Sequence, residues 1–281
     1  MSDWEYIVIG GGSAGAVMAA RLSEVSANRV LLLEAGRDTP PGNEGAEVRD
    51  TFYRAIYNRR NTWPGITAQW QPLPHNDPDA VPAFPYDQGR VMGGGSSVNS
   101  MVSIRRHKRA DWPGFCDAVA SELHRRGFGY VKDMNVEPRD GVCSVALSSK
   151  PGLRQSTAIS YLTPDVRARA NLDIRSDCFA ETLTFDGAQC TGVRVRTGGA
   201  TEDLKAKEVV VSAGALQSPA LLMRSGVGPA AQLGTYGIDV VADRAGIGQN
   251  LHEHPTCILA AHLRYNGMQD AGLRAAGNAA L

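Results

Sequence analysis

Hydrophobic patterning is sharpest in the first 36 residues. Tyr6 to Ile9 is a run of aromatic and β-branched residues, the pattern of a buried parallel strand. Ala14 to Val25 then carries Val17, Met18, Leu22 and Val25 at helical spacing, which predicts one apolar helix face. A turn at Ala27-Asn28 leads to a second apolar run, Val30 to Leu33. Strand, helix and strand fit within about 30 residues, the length a right-handed βαβ crossover needs. Residues 37–88 are rich in Pro, Asn, Asp and Trp with little periodicity, and predict a long irregular excursion over the surface or a ligand. Asp117 to Arg126 reads as a helix. Between Leu172 and Arg196, alternating runs broken at Asp186-Gly187 predict an antiparallel meander. Lys207 to Ala215 reads as another buried parallel strand running into a glycine turn, with a helix starting at Pro219 and reaching Arg224.

Composition narrows the function classes. Of 281 residues, 43% are hydrophobic, and 29 basic residues balance 29 acidic ones, so neither nucleic acid nor an anionic membrane surface is an expected partner. No apolar run approaches the ~20 residues that span a bilayer. The start, MSDWEY, lacks the basic-then-apolar layout of a secretion signal, and a cytoplasmic location is expected. Cys116, Cys143, Cys178, Cys190 and Cys257 are scattered without a CxxC spacing, as expected of reduced thiols. Glycine, at 31 residues, is the unusual component, and many of its positions are clustered.

Gly10, Gly12 and Gly15 form GxGxxG between the first strand and the helix. In that setting the glycines permit a tight turn, close backbone approach to a pyrophosphate and close helix–strand packing. The diphosphate then meets the positive end of the helix. Glu34 ends the second strand, where a carboxylate accepts hydrogen bonds from ribose hydroxyls. Gly11-Gly12-Ser13-Ala14-Gly15 also spells GxSxG, a nucleophile elbow. An elbow strand lies mid-sheet after several earlier strands, and only one strand can precede Ser13. The fingerprint itself leaves FAD and NAD open.

A second glycine cluster, "GRVMGGGSSVNSMV" from Gly89 to Val102, and the stretch "SAGALQSPALLMRSGVGP" from Ser212 to Pro229 together resemble the glucose–methanol–choline (GMC) family of FAD-dependent oxidoreductases. "QSTAISYLTP", Gln155 to Pro164, and "GIDVVADRAGIGQNLHEHP", Gly237 to Pro255, extend the resemblance. It implies an α/β fold: a Rossmann-like FAD-binding domain with a parallel sheet and an antiparallel β-meander, plus a partial substrate-domain remnant. The implied organisation is a βαβ unit over 1–36, an FAD-covering excursion with the second cluster over 37–110 and substrate-domain residues over 111–170. The meander and remaining cofactor domain would occupy 171–255, and the start of a further substrate segment 256–281. The resemblance further implies that Gly10, Gly12, Ser13, Ala14 and Gly15 cradle the diphosphate. Glu34, with Ala35 beside it, would hold the adenosine ribose. Arg90 and Val91 head the second cluster, in which Gly93, Gly94, Ser97, Asn99, Ser100, Met101 and Val102 would run past the flavin ring. Ala180, Ala213 and Gly214 would close the other end. Where some members carry a flavin-linking histidine this chain has Val98, so non-covalent FAD is expected.

Two departures stand beside the resemblance. Arg109 to Tyr130 passes directly into a helix where the family carries a lid-like insertion of several tens of residues. The family's catalytic histidine belongs to a later half with no counterpart before Leu281. The expectation is an incomplete alcohol oxidoreductase, with a small-molecule alcohol as substrate and little activity alone. The alternatives are a non-catalytic flavin-binding or partner-binding module, or one half of a split enzyme. His252 and His254 have an HxH spacing but no evident third ligand, so no metal is expected, and no catalytic residue can be named.

Overall fold

The computed structural model describes residues 3–50, 53–69, 82–99, 102–106, 109, 112, 114–133, 136–137, 139–144, 146–150 and 153–253. Its chain divides into two units, Met1–Asn99 with Arg154–His252, and Ser100–Leu153 with Glu253–Leu281. The first unit is built on strand β1 (Trp4–Ile9), helix α1 (Ser13–Leu22) and strand β2 (Val30–Leu33). After the irregular excursion come the short helices α2 (Gly95–Val98) and α3 (Thr157–Tyr161). Strands β3 (Leu172–Arg175), β4 (Cys178–Asp186), β5 (Gln189–Thr197) and β6 (Ala200–Val211) follow, then helix α4 (Gly214–Arg224).

All six strands form one sheet in the order β4-β5-β6-β1-β2-β3. Its left half is antiparallel and its right half parallel, and β6 joins them. Residues 200–205 of β6 pair antiparallel with β5, while 206–211 pair parallel with β1. The predicted buried strand at 207–215 is therefore the second half of a longer one. The run at Leu172 also differs from the expected meander: β3 lies parallel to β2 at the sheet edge, with Leu32 opposite Ile174. Four alternating residues cannot distinguish a meander strand from a parallel edge strand, and the choice falls to pairing.

The continuous apolar character of β1 and β2 follows from burial on both faces. Ile7, Ile9, Leu31 and Leu33 pack on one side with Val193, Leu204 and Leu221. Val8, Val30 and Leu32 pack on the other with Ala16, Ala19, Met92 and Leu162.

Helix α1 buries Gly15, Ala16, Ala19 and Ala20, rather than the larger residues that its sequence pattern suggested. Met18 is 37% exposed and Val25, beyond the helix end, 56%. Separation decides the face: a Cβ on Gly15 would lie 1.8 Å from the Gly10 carbonyl oxygen. Only a small-residue face can come this near the strand turn. Helix α4 starts five residues before Pro219 and carries that proline inside it.

In the second unit, strand Val102–Arg106 pairs antiparallel with Ala146–Leu147. The helix Gly114–Arg125 confirms the sequence expectation and buries only Ala120 among its described residues.

The α1 contact generates a direct test. Gly15→Ala forces α1 off the β1 turn and is expected to cost about 2–3 kcal/mol of stability, despite alanine's better helix propensity. Chemical denaturation of the two proteins followed by far-UV circular dichroism measures it, and equal midpoints would show that the packing is looser than described.

Candidate functional site

Strands β1, β2 and β6 end side by side, because Gly10 N–H donates to the Leu33 carbonyl and Ser212 N–H to the Ile9 carbonyl, both at 2.8 Å. Their next residues, Gly10, Glu34 and Ser212, line a cavity of about 510 Å³ at the carboxyl edge of the parallel strands. Open α/β sheets bind ligands at this edge.

Helix α1 points its N-terminus into this cavity. Gly12 caps the helix without a side-chain hydrogen bond, and no acidic residue occupies the first turn. Gly12, Ser13 and Ala14 line the cavity, so first-turn amides without a side-chain acceptor and the positive helix end face its interior. Gly15 supports them from beneath by its contact with Gly10.

The second glycine cluster docks on the first. Gly93 N–H donates to the Gly11 carbonyl at 2.7 Å. Gly94 has φ 51°, and a Cβ on it would lie 2.8 Å from the Gly12 Cα. Gly94 and Gly95 thereby form a wall with no side chain on it. Ser97 is buried behind that wall and donates from Oγ to the Met92 carbonyl at 2.8 Å. Val91 is buried and forms a parallel bridge with Arg37. Asn99 closes α2, Val102 belongs to the second unit, and Ser100 and Met101 lie outside the described residues.

Glu34 is buried, and both its oxygens are engaged: Oε2 accepts from Gly11 N–H and Oε1 from Gly36 N–H, each at 2.8 Å. Burial pushes its carboxyl up to about 7, against the opposing pull of the Gly36 and Gly11 amides and the Arg90 charge. Arg90 crosses directly over this turn. Its Nε donates to the Ala35 carbonyl at 3.1 Å, and a Cβ on Gly36 would lie 2.1 Å from its carbonyl oxygen.

The far wall is aromatic and basic, and sequence reading missed most of it. Trp63 meets Phe179 edge-on at 6.0 Å between centroids. The Arg224 guanidinium lies over Phe179 at 5.4 Å and donates to the Ala180 and Glu181 carbonyls. Ala180, Ala213 and Gly214 complete this end. Gln88 lines the cavity with a buried Oε1 that accepts no hydrogen bond. Trp63 and Gln88 come from the irregular excursion, where no periodicity flags them. Phe179 stands beside the expected Ala180, so its place in a strand entering the site was the available signal.

Among the described residues, no three His, Cys, Asp or Glu side chains gather as a metal site, and no helix is long and apolar enough to cross a membrane. His254 lies outside the described residues. Cys116, Cys143, Cys178 and Cys190 are free thiols, and Cys257 also lies outside.

The Glu34 environment predicts a pH dependence. A carboxyl raised to about 7 in the fold and titrating near its ordinary value when unfolded keeps its proton longer in the native state. Its contribution is fully present at pH 4 and is lost as pH rises to about 7, by up to ~3 kcal/mol. Glu34→Gln is expected to flatten the stability of the ligand-free protein across this interval, as measured by denaturation at a series of pH values. A slope unchanged by the substitution would assign the titration to another group.

Comparison with known proteins agrees with this architecture. The sequence model described as GMC oxidoreductase matches residues 4–114 and 114–256. The chain is 34% identical to 5-(hydroxymethyl)furfural oxidase of Methylovorus sp. (strain MP688), over 98% of this chain and 61% of that protein. It is 32% identical to oxygen-dependent choline dehydrogenase of Sinorhizobium medicae (strain WSM419), over 89% of this chain and 52% of the relative. Pyridoxine 4-oxidase from Mesorbium loti superposes with a TM-score of 0.72 at 25% identity, covering 86% of this chain and 55% of that one. The chain thus spans between half and two thirds of the length of these proteins. With both glycine clusters inside the matched residues, the chain belongs to the GMC oxidoreductase family.

Proposed function

We propose that the cavity binds FAD non-covalently, and that the chain forms the cofactor-holding part of an oxidoreductase that takes hydride from the CH–OH group of a small-molecule alcohol. The observation that carries this reading is the docking of Gly94 on Gly12, which extends a diphosphate cradle into a flat wall without side chains. A nicotinamide dinucleotide has no need of that second wall. The relatives named above act, by their names, on 5-(hydroxymethyl)furfural, choline and pyridoxine, three molecules that each carry an alcohol group.

The residues present fit FAD in chemical character. First-turn amides of α1 at Ser13, Ala14 and Gly15 suit the diphosphate, and the Glu34 carboxylate suits the adenosine ribose diol. Trp63 and Phe179 offer aromatic surface to adenine beside the Ala180 backbone, and Ala213-Gly214 closes the same end. Gln88 Oε1, buried and unpaired, calls for a ligand N–H or O–H donor. Gly93, Gly94, Ser97 and the Asn99 backbone suit the flavin side, with Arg90 and Val91 fixing the entry to that turn.

Bound FAD supplies the hydride acceptor. The chain's own part is to orient the ring against the glycine wall and to exclude water from it. Among the described residues that line the cavity none is a histidine, and the one carboxylate there, Glu34, is assigned to the ribose diol, so no proton acceptor for the alcohol is in place beside the flavin wall. This favours as second reading a chain that holds flavin but turns it over slowly unless a further segment or partner supplies the base. Val98 is buried and apolar, with no atom able to bond covalently to a flavin methyl.

Purified protein mixed with FAD and desalted is expected to keep a flavin absorbance spectrum, and denaturation should release all of it. A desalted, folded sample without flavin would reject the reading; flavin that stays with the denatured chain would reject its non-covalent part. Added alcohol should bleach the bound flavin slowly or not at all. Glu34→Gln should weaken FAD binding about tenfold through loss of a charged acceptor, read by quenching of FAD fluorescence.

A further inference from the structure

Arg154 is the largest fully buried side chain among the described residues, and it lies outside the cavity. Its Nη1 donates to the carbonyls of Ser96 at 3.2 Å and Asn99 at 2.7 Å and to Asn99 Oδ1 at 3.3 Å, while Nε donates to the Asp50 carbonyl at 3.2 Å. Burying a guanidinium is costly unless its donors are met, and here several backbone oxygens meet them. The Ser96 and Asn99 oxygens belong to the last turn of α2 and the residue after it, where carbonyls lack helical partners and a cation offsets the negative helix end.

Arg154 acts within a strap. Three residues on, Thr157 N–H donates to Ser96 Oγ at 3.0 Å, and the two hydroxyls lie 3.0 Å apart. Ser96 Oγ in turn donates to the Gly93 carbonyl at 2.7 Å. Ser156 caps α3 by accepting from Ile159 N–H, which fixes the strap at its far side. The turn from Gly93 to Asn99 is thus gripped on one side by the first glycine knot and on the other by residues 154–158. Left free, that turn would have to be ordered at the moment of binding, at a cost in conformational entropy.

We propose that Arg154 is the positioning residue of the second glycine cluster: it sets the Gly93–Asn99 turn in its ligand-receiving shape before the flavin half of FAD arrives. This rests on the FAD reading, and it separates the two halves of the dinucleotide. The ADP half meets α1, Glu34 and the aromatic wall, none of which Arg154 touches in the contacts above.

The test titrates the full chain, as wild type, Arg154→Lys and Arg154→Met, with FAD and separately with ADP. Arg154→Met is expected to weaken FAD roughly ten- to hundredfold while ADP affinity stays within about twofold. Arg154→Lys keeps the charge but cannot bridge the same set of oxygens, and should fall between. The visible circular dichroism of bound flavin should change in both variants, which a purely stabilising role would leave alone. Thermal midpoints of the ligand-free proteins show which variants fold, and if Arg154→Met does not, Arg154→Lys carries the comparison. Equal losses for FAD and ADP, or no loss for either, overturn the proposal. Wild-type protein that binds no FAD would instead sink the FAD reading, and this inference with it.

Discussion

Backbone packed directly on backbone is the constraint on which the rest of the first unit depends. At the carboxyl edge of the sheet, Gly10 lies against Ser212 and Ala213, Gly15 against Gly10, Gly36 against Arg90 and Gly94 against Gly12. At each place an added Cβ would lie closer than 3 Å to main-chain atoms. Segments separated by as many as 203 residues meet there with no side chain between them. The result is a surface of peptide groups, whose amides can face a ligand because nothing shields them.

That arrangement sets the electrostatics of the cavity. Bringing β1, β2 and the second cluster together leaves Glu34 buried, and desolvation then lifts its carboxyl to about 7. Two amides hold the carboxylate oxygens but do not fully offset the burial. Opposed to this acid are the α1 N-terminus and Arg224, whose own burial pushes its guanidinium below its ordinary range. A cavity with one acidic point among positive ends suits a ligand with a diphosphate and a diol, and discriminates against a second phosphate near Glu34.

Much of this was legible in sequence because it is local. The glycine knot between β1 and α1, and Glu34 at the end of β2, sit within one βαβ unit whose spacing fixes their meeting. The face of α1 was misjudged because hydrophobic periodicity favours Met18 and Val25, whereas close approach to Gly10 selects Ala16, Ala19 and Gly15. The assignment of Leu172–Arg175 failed differently, since a short alternating run carries no record of which strand it will pair with. Trp63 was invisible for a third reason, standing in an excursion without periodicity. Phe179 beside Ala180, Arg224 within the Ser212–Pro229 stretch and Arg154 next to Gln155 stood close to signals, but only tertiary structure gives each its contacts.

The interruption in the family match bears on how the two units differ. The matched segments break at Gly114, the first residue of the helix in the second unit, while the pieces of the first unit are matched without a break. The alignment with the furfural oxidase runs over 328 positions against a chain of 281, so the relative carries several tens of residues with no counterpart here. Cofactor geometry leaves little freedom for such changes. An insertion between Gly10 and Gly15, or between Arg90 and Asn99, would separate backbones that must touch. The helix Gly114–Arg125 buries one described residue, and its charges pair at the surface, Glu122 with Arg125 and Arg126 and Asp117 with Arg109. Length can vary at such a helix at little cost to the cavity, which places tolerance for change in the second unit and constraint in the first.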